Sequence, residues 1–172
     1  DQRVYIDALR QDIRKKWRTV AVVGAGPGGL AAAFDLTLRG YDVTIFEREA
    51  VAGGMLALGI PPYRLPRALL HQEIDGLLSL GIQLRTGQAL GRDFTLPSLL
   101  EEGFEAVCLA VGAWKGLSMG LPGEEAPEVV DALTFLKAVH GRGSKEVGRR
   151  VMVVGGGDAA LAAARTALRL GA

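Results

Sequence analysis

One stretch limits what this chain can fold into more than any other. Residues 19–47 run TVAVV, then GAGPGG, then an Ala/Leu-rich segment closed by Gly40, then DVTIF and an acid. A continuous, mostly β-branched run such as TVAVV suits a strand buried on both faces of a parallel sheet. A glycine turn, helix formers over 30–39 and a second strand over 42–46 complete a βαβ unit in under 30 residues. The chain has 24 glycines, about twice the number that a background of roughly 7% gives. They sit at the ends of short apolar runs, where strand-to-helix turns need them, and not in a linker.

The first turn fits a phosphate-binding loop. Gly24, Gly26 and Gly29 match G-x-G-x-x-G between strand and helix, with Pro27 and Gly28 completing the loop. In such a motif the first glycine makes the turn, the second lets a pyrophosphate approach the backbone, and the third lets helix and strand pack closely. The helix N-terminus adds free N–H groups and a partial positive charge. Glu47 follows 23 residues after Gly24, at the end of the second strand, where a carboxylate accepts both ribose hydroxyls. The carboxylate repels a ribose 2′-phosphate, so this site favours FAD or NAD over NADP. S-adenosylmethionine enzymes use a similar loop and acid, so the first motif by itself leaves them open.

The pattern recurs. Residues 1–16 place Val4, Tyr5, Ala8, Leu9 and Ile13 near one face of an amphipathic helix. Residues 51–66 read as irregular, 67–80 as helix, 82–85 as a short strand, 96–102 as a short helix and 105–111 as another buried strand. Residues 120–127, rich in Gly, Pro and Glu, read as a domain boundary, and 131–140 as a helix with Asp131 as a candidate N-cap. VMVV at 151–154 then reads as a new buried strand, followed by Gly155-Gly156-Gly157 and an Ala-rich helix over 158–170. Gly155, Gly157 and Ala160 fit G-x-G-x-x-A, with Asp158 as helix N-cap or as a cofactor-positioning group. The residue that would read the ribose lies beyond Ala172, so NAD and NADP both remain open here.

Composition removes several classes of function. Lys and Arg number 20 against 19 Asp and Glu, so no bulk field recruits nucleic acid or an anionic membrane. The single cysteine, Cys108, excludes an internal disulfide, a Cys-rich metal site and a CxxC pair, and fits a reducing cytoplasm. The uncharged run over 19–34 is broken by glycines and falls short of the roughly 20 apolar residues of a membrane span. Residues 1–18 have no apolar core of a signal peptide. His71 and His140 have no partner ligand at helical spacing, and no Ser-His-Asp set, carboxylate pair or metal cluster stands out. Trp17, Trp114 and Tyr63 read as packing residues. No catalytic residue is assigned, because hydride chemistry belongs to cofactors that the protein positions.

Beyond these motifs, GAGPGG, FER at 46–48, GGMLALGIPPYRLP at 53–66, EIDGLLSLGI at 73–82, LAVGA at 109–113 and VVGGGDAALAAARTALRLGA at 153–172 resemble the NADPH-dependent glutamate synthase small-subunit family. That family includes the flavin region of dihydropyrimidine dehydrogenase. The resemblance implies an α/β protein in which a Rossmann-like three-layer FAD-binding domain is followed by the start of a second Rossmann-like, NAD(P)H-binding domain. By motif, Gly24, Gly26 and Gly29 would meet the FAD pyrophosphate, Glu47 the adenosine ribose, and Arg48 the adenine. Gly54, Met55 and Leu56 would reach the pyrophosphate or flavin side, with Arg64 and Leu65 as further flavin-domain contacts. Ala89 or Leu90 would offer backbone to the adenine, and Ala110 and Gly112 would close the strand-end turn near the cofactor. Gly155, Gly157, Asp158 and Ala160 would cradle the NAD(P)H pyrophosphate.

This chain departs from the family in having Ala159 where a threonine is usual and Leu161-Ala162 where Met-Asp is common. The organisation expected is an N-terminal amphipathic helix over 1–17, an FAD-binding domain over 18–119 without its C-terminal return, and a linker with the first βα unit of an NAD(P)H domain over 120–172. The function implied is an FAD-dependent NAD(P)H oxidoreductase, cytoplasmic, passing electrons to an iron–sulfur or large catalytic subunit within a hetero-oligomer or longer chain. By itself the chain is expected to be inactive. The alternative is a non-catalytic nucleotide-binding scaffold in a larger redox complex.

Overall fold

A computed structural model describes the backbone of residues 2–142 and 146–172 and the side chains of 5–141 and 146–172. The chain divides into two compact units. One takes the chain up to Leu56 together with Pro66–Gly112, and the other takes Ala57–Leu65 with Ala113–Ala172.

The first unit is built on a parallel sheet. Strands β1 (Thr19–Val23), β2 (Asp42–Glu47), β3 (Gln83–Thr86) and β4 (Ala106–Leu109) lie in the order β3-β2-β1-β4. Val23 pairs with Phe46 and Leu109, so the central strands reach the same end of the sheet together. Four of the five residues of β1 and five of the six of β2 are buried, as strands covered on both faces require. Ala21, Val23 and Phe46 share one parity and pack with Phe94 and Leu99. Phe94 packs on Phe46 in a tilted arrangement with ring centroids 4.9 Å apart, and Phe104 meets Phe46 edge-on at 5.7 Å. The opposite parity, Val20, Val22, Val43 and Ile45, is buried too.

Helix α2 (Pro27–Leu38) packs on β1, β2 and β4, with Leu30 and Ala33 buried. It begins at Pro27 and not at residue 30, because a proline in the first turn lacks only an N–H that would have no acceptor there. Helix α1 (Gln2–Asp12) lies against α2 and α4 (Arg67–Leu78). Its buried side matches the expected face only in part. Ile6 is buried with Leu9 and Ile13 half-buried, whereas Tyr5 is 60% exposed and Ala8 is exposed. The Val4 side chain lies outside the described residues. A short helix α3 (Met55–Leu58) interrupts the segment expected to be irregular. Helix α5 (Leu96–Glu101) packs on β4 behind a reciprocal cap between Thr95 and Ser98.

Two further expectations fail. Strand β4 is not fully buried: it is an edge strand, and Leu109 is 55% exposed. Trp17 is not a packing residue; it is 83% exposed at φ +58°.

The second unit is helical among the described residues. Helix α6 (Ala132–Arg142) starts at Asp131, whose Oδ1 accepts the N–H groups of Leu133 and Thr134, both at 3.1 Å. Helix α7 (Asp158–Arg169) packs against α6 through a face that includes Ala162, Ala163 and Ala167. VMVV forms no strand: Val151, Met152 and Val154 are exposed, and no strand of this unit is available for pairing among the described residues.

Candidate functional site

The end of β1, the start of α2 and the end of β2 converge on the first glycine turn. Gly24 stands at φ +110°, and a Cβ there would meet the Ala110 carbonyl oxygen at 2.3 Å. A Cβ on Gly29 would lie 1.8 Å from the Gly24 oxygen. Both glycines are therefore demanded by the packing of the protein itself. Gly26 and Gly28 are not. A Cβ on Gly26 would meet only the Gly54 Cα, at 3.8 Å, and one on Gly28 would meet nothing within 4 Å. The space before these two residues is open, as a backbone that accepts a ligand closely requires.

The turn also presents donors. Gly26 is the N-cap of α2, in extended conformation and with no side-chain cap. The first intrahelical bond is from Leu30 N–H to the Gly26 carbonyl at 2.9 Å. The N–H groups of Gly28 and Gly29 thus have no intrahelical acceptor and lie at the positive end of the helix dipole.

Glu47 closes the other side. It is 5% exposed, and its Oε2 accepts the Ala25 N–H at 2.7 Å while Oε1 accepts the Glu49 N–H at 2.8 Å. A carboxylate has about four acceptor positions, so two remain for hydroxyl donors. Ala25 is tied on its other side too, because Gly53 N–H donates to its carbonyl at 2.8 Å. Gly54, at φ +52°, would drive a Cβ to 2.7 Å from the Gly26 Cα. The second pair of glycines thus lies directly against the first turn, and Met55 and Leu56 begin α3 beside it.

The remaining predicted residues divide. Ala110 forms one wall of the turn, its N–H donating to the Val23 carbonyl at 2.8 Å, and Gly112 follows β4 at φ +74°. Arg48 is exposed and pairs with Glu49 at 3.1 Å. The Ala89 N–H is taken internally by Asp93 Oδ2 at 2.7 Å, and Leu90 bridges to Phe94. Arg92 and this N–H hold the Asp93 carboxyl below its ordinary range. Arg64 and Leu65 fall in the second unit, where Arg64 Nη1 reaches Asp158 Oδ1 at 3.2 Å.

The second turn shows the same division of glycines. Gly155 is at φ +123° with Ala160 Cβ at 3.5 Å from a Cβ built there, whereas Gly156 and Gly157 have nothing within 4 Å. Gly157 caps α7 without a side-chain bond.

Other features do not compete with these turns. A cavity of about 210 Å³ lies between Arg18, Thr19, Tyr41, Glu105 and Ala106, at the opposite ends of β1 and β4 from the glycine turn. His140 Nδ1 is 3.1 Å from the Leu58 carbonyl, and no group of three metal-ligating side chains occurs among the described residues. No helix among them is long and apolar enough to cross a membrane. Sequence reasoning missed Ala25 and Gly53, which act through backbone groups alone. It also missed the partners of Tyr63, which is 39% exposed beside Arg165 and Arg169. The paired glycines at 53–54 were the one available signal.

Residues 18–172 match the sequence family described as pyridine nucleotide-disulphide oxidoreductase. The chain is 42% identical over 163 residues to the NADPH-Fe(3+) oxidoreductase subunit beta of Geobacter sulfurreducens, covering 92% of this chain and 24% of that protein. It is 44% identical over 158 residues to the NADP(+)-dependent formate dehydrogenase subunit beta of Moorella thermoacetica, covering 90% and 22%. The Escherichia coli glutamate synthase [NADPH] small chain is 36% identical over 171 residues, covering 93% and 36%. The chain thus spans roughly a quarter to a third of the length of these relatives. Among solved structures, a 2-naphthoyl-CoA reductase aligns with TM-score 0.76 and 26% identity, over 96% of this chain and 24% of that one.

Proposed function

Because this chain belongs to the pyridine nucleotide-disulphide oxidoreductase family, we propose that it forms the FAD- and NAD(P)H-binding part of an oxidoreductase that feeds electrons to an iron–sulfur partner. The observation that carries the reading is the open space at Gly26 and Gly28, before an uncapped helix start and beside a buried carboxylate. No internal packing explains those glycines, and an approaching pyrophosphate does.

In this reading the N–H groups of Gly28 and Gly29 bind the FAD pyrophosphate, and Glu47 accepts the adenosine ribose hydroxyls. Gly53 and Gly54 keep the loop in place from behind. Gly155–Gly157 and the start of α7 bind the NAD(P)H pyrophosphate. A flavin held there would supply the capacity to accept hydride from the nicotinamide and to pass electrons on to the partner. The names of the Geobacter and Escherichia relatives support a reduced nicotinamide donor, the Moorella name supports an NADP-type coenzyme, and the subunit names of all three support a place within a multi-subunit enzyme. We assign the FAD-binding role to residues 18–119 and the NAD(P)H role to 120–172.

The test is flavin content. In the purified whole protein, Gly26→Ala should lower flavin released on denaturation severalfold while leaving the melting temperature unchanged. Equal flavin in both proteins overturns the assignment.

A further inference from the structure

The two glycine turns are held in different ways. The first is fixed by the sheet: Gly24 N–H donates to the Phe46 carbonyl, Ala25 N–H to Glu47, and Ala110 N–H to the Val23 carbonyl. The second has no such ladder among the described residues, since 151–157 form no strand and Met152 is 88% exposed. Among the described residues the turn is held through its continuity with α7 and the contacts that α7 makes.

Within its own unit α7 has two kinds of neighbour. Against α6 it buries Ala162, Ala163, Thr166 and Ala167. These side chains are small, so α7 contributes short ridges to its contact with α6. The second neighbour is the segment 57–65. The Tyr63 ring centroid lies 4.5 Å from the Arg165 guanidinium carbon and 4.1 Å from that of Arg169, one turn further on. Arg169 also donates to the Arg165 carbonyl at 3.0 Å, which holds its guanidinium along the helix. The next residue, Arg64, pairs with Asp158 at the first position of α7. Residues 63 and 64 thus hold α7 at points about 10 Å apart along its axis. Asp158 is 85% exposed, so its ion pair contributes little alone. The aromatic contacts dominate.

We propose that Tyr63 is a positioning residue of the second nucleotide site. Its ring, held against the Arg165 and Arg169 guanidiniums, fixes α7 so that the N–H groups of Asp158, Ala159 and Ala160 stay aimed at the NAD(P)H pyrophosphate. Tyr63 touches no ligand in this scheme. The proposal rests on the reading that the second turn holds NAD(P)H. What it requires of Tyr63 is a π face, not a hydroxyl and not bulk.

The whole, flavin-loaded protein tests it by calorimetric titration with NADP+ and NAD+ and by hydrogen exchange of the α7 amides. Tyr63→Leu should weaken the tighter-binding nucleotide about fivefold to tenfold, the weight of one or two cation–π contacts. It should also speed exchange in the first turns of α7, while leaving flavin content and the saturated rate of flavin reduction unchanged. Tyr63→Phe should bind within twofold of the wild type. Wild-type affinity in Tyr63→Leu, or equal weakening in Tyr63→Phe, overturns the proposal. If the wild-type protein binds neither nucleotide and Gly157→Ala changes nothing, the reading of the second turn itself falls.

Discussion

Glu47 accepts the backbone N–H of Ala25 at 2.7 Å, from the end of the neighbouring strand and across 22 residues of sequence. The acid to which we assign the ribose therefore also shapes the loop to which we assign the phosphates. With Glu49 N–H on its other oxygen, the carboxylate is oriented before any ligand arrives. Such preorganisation lowers the ordering cost of binding.

Glu47→Gln should expose this double role. The amide keeps one acceptor oxygen and sets an NH2 group against a backbone N–H in a site only 5% exposed. An unsatisfied buried donor costs about 1–3 kcal/mol. The variant should melt at lower temperature even without flavin, and it should bind flavin less tightly. An unchanged melting curve for the flavin-free protein counts against the loop-shaping role.

Gly26 and Gly29 should respond in opposite ways to the same added methyl group. Gly26→Ala places its Cβ in open space and should fold normally with diminished flavin. Gly29→Ala places a Cβ 1.8 Å from the Gly24 oxygen. Relief of that overlap must shift backbone and should cost about 1–3 kcal/mol or more. Chemical denaturation of both variants separates the two effects.

Gly157→Ala should leave the protein yellow and weaken nicotinamide binding, since its Cβ also meets nothing within 4 Å. Loss of flavin in this variant would reverse the assignment of the two turns.

The Ala89 loop should respond to acid. Asp93, hydrogen-bonded by Arg92 and by the Ala89 N–H, has its carboxyl held below the ordinary aspartate range. A folded-state value below the unfolded one means that the contribution is present above the unfolded value. It is lost as pH falls through the folded one. The Ala89 amide chemical shift should follow that step, with a midpoint below that of a free aspartate. A midpoint at the ordinary value removes the Arg92–Asp93 contact from the solution structure.

Much of the fold could be read from local pattern. TVAVV and DVTIF are strands because their apolar runs are continuous and bounded by glycine and charge, and α7 follows from its alanines. What failed depends on neighbours far along the chain. VMVV has strand composition, but a strand exists only where another can pair with it. Residues 106–109 look as apolar as a central strand yet lie at the sheet edge, where Leu109 is exposed. The α1 face was misread in part because Ile6, Leu9 and Ile13 fit helical spacing as well as the chosen set does. In the site, glycine spacing exposed the turns, whereas Ala25 acts through groups every residue carries. Tyr63 finds its arginines about 100 residues away, at a distance no spacing rule reaches.

The chain leaves its first unit at Leu56, contributes Ala57–Leu65 to the second, and returns at Pro66. A single peptide-bond cut after Gly112 would therefore not free one unit from the other. The N-terminal piece would still carry Tyr63 and Arg64, which grip α7 in the C-terminal piece. The two halves of a nicked molecule should copurify until denaturant parts them. Neither unit corresponds to one uninterrupted stretch of gene that could be cloned alone.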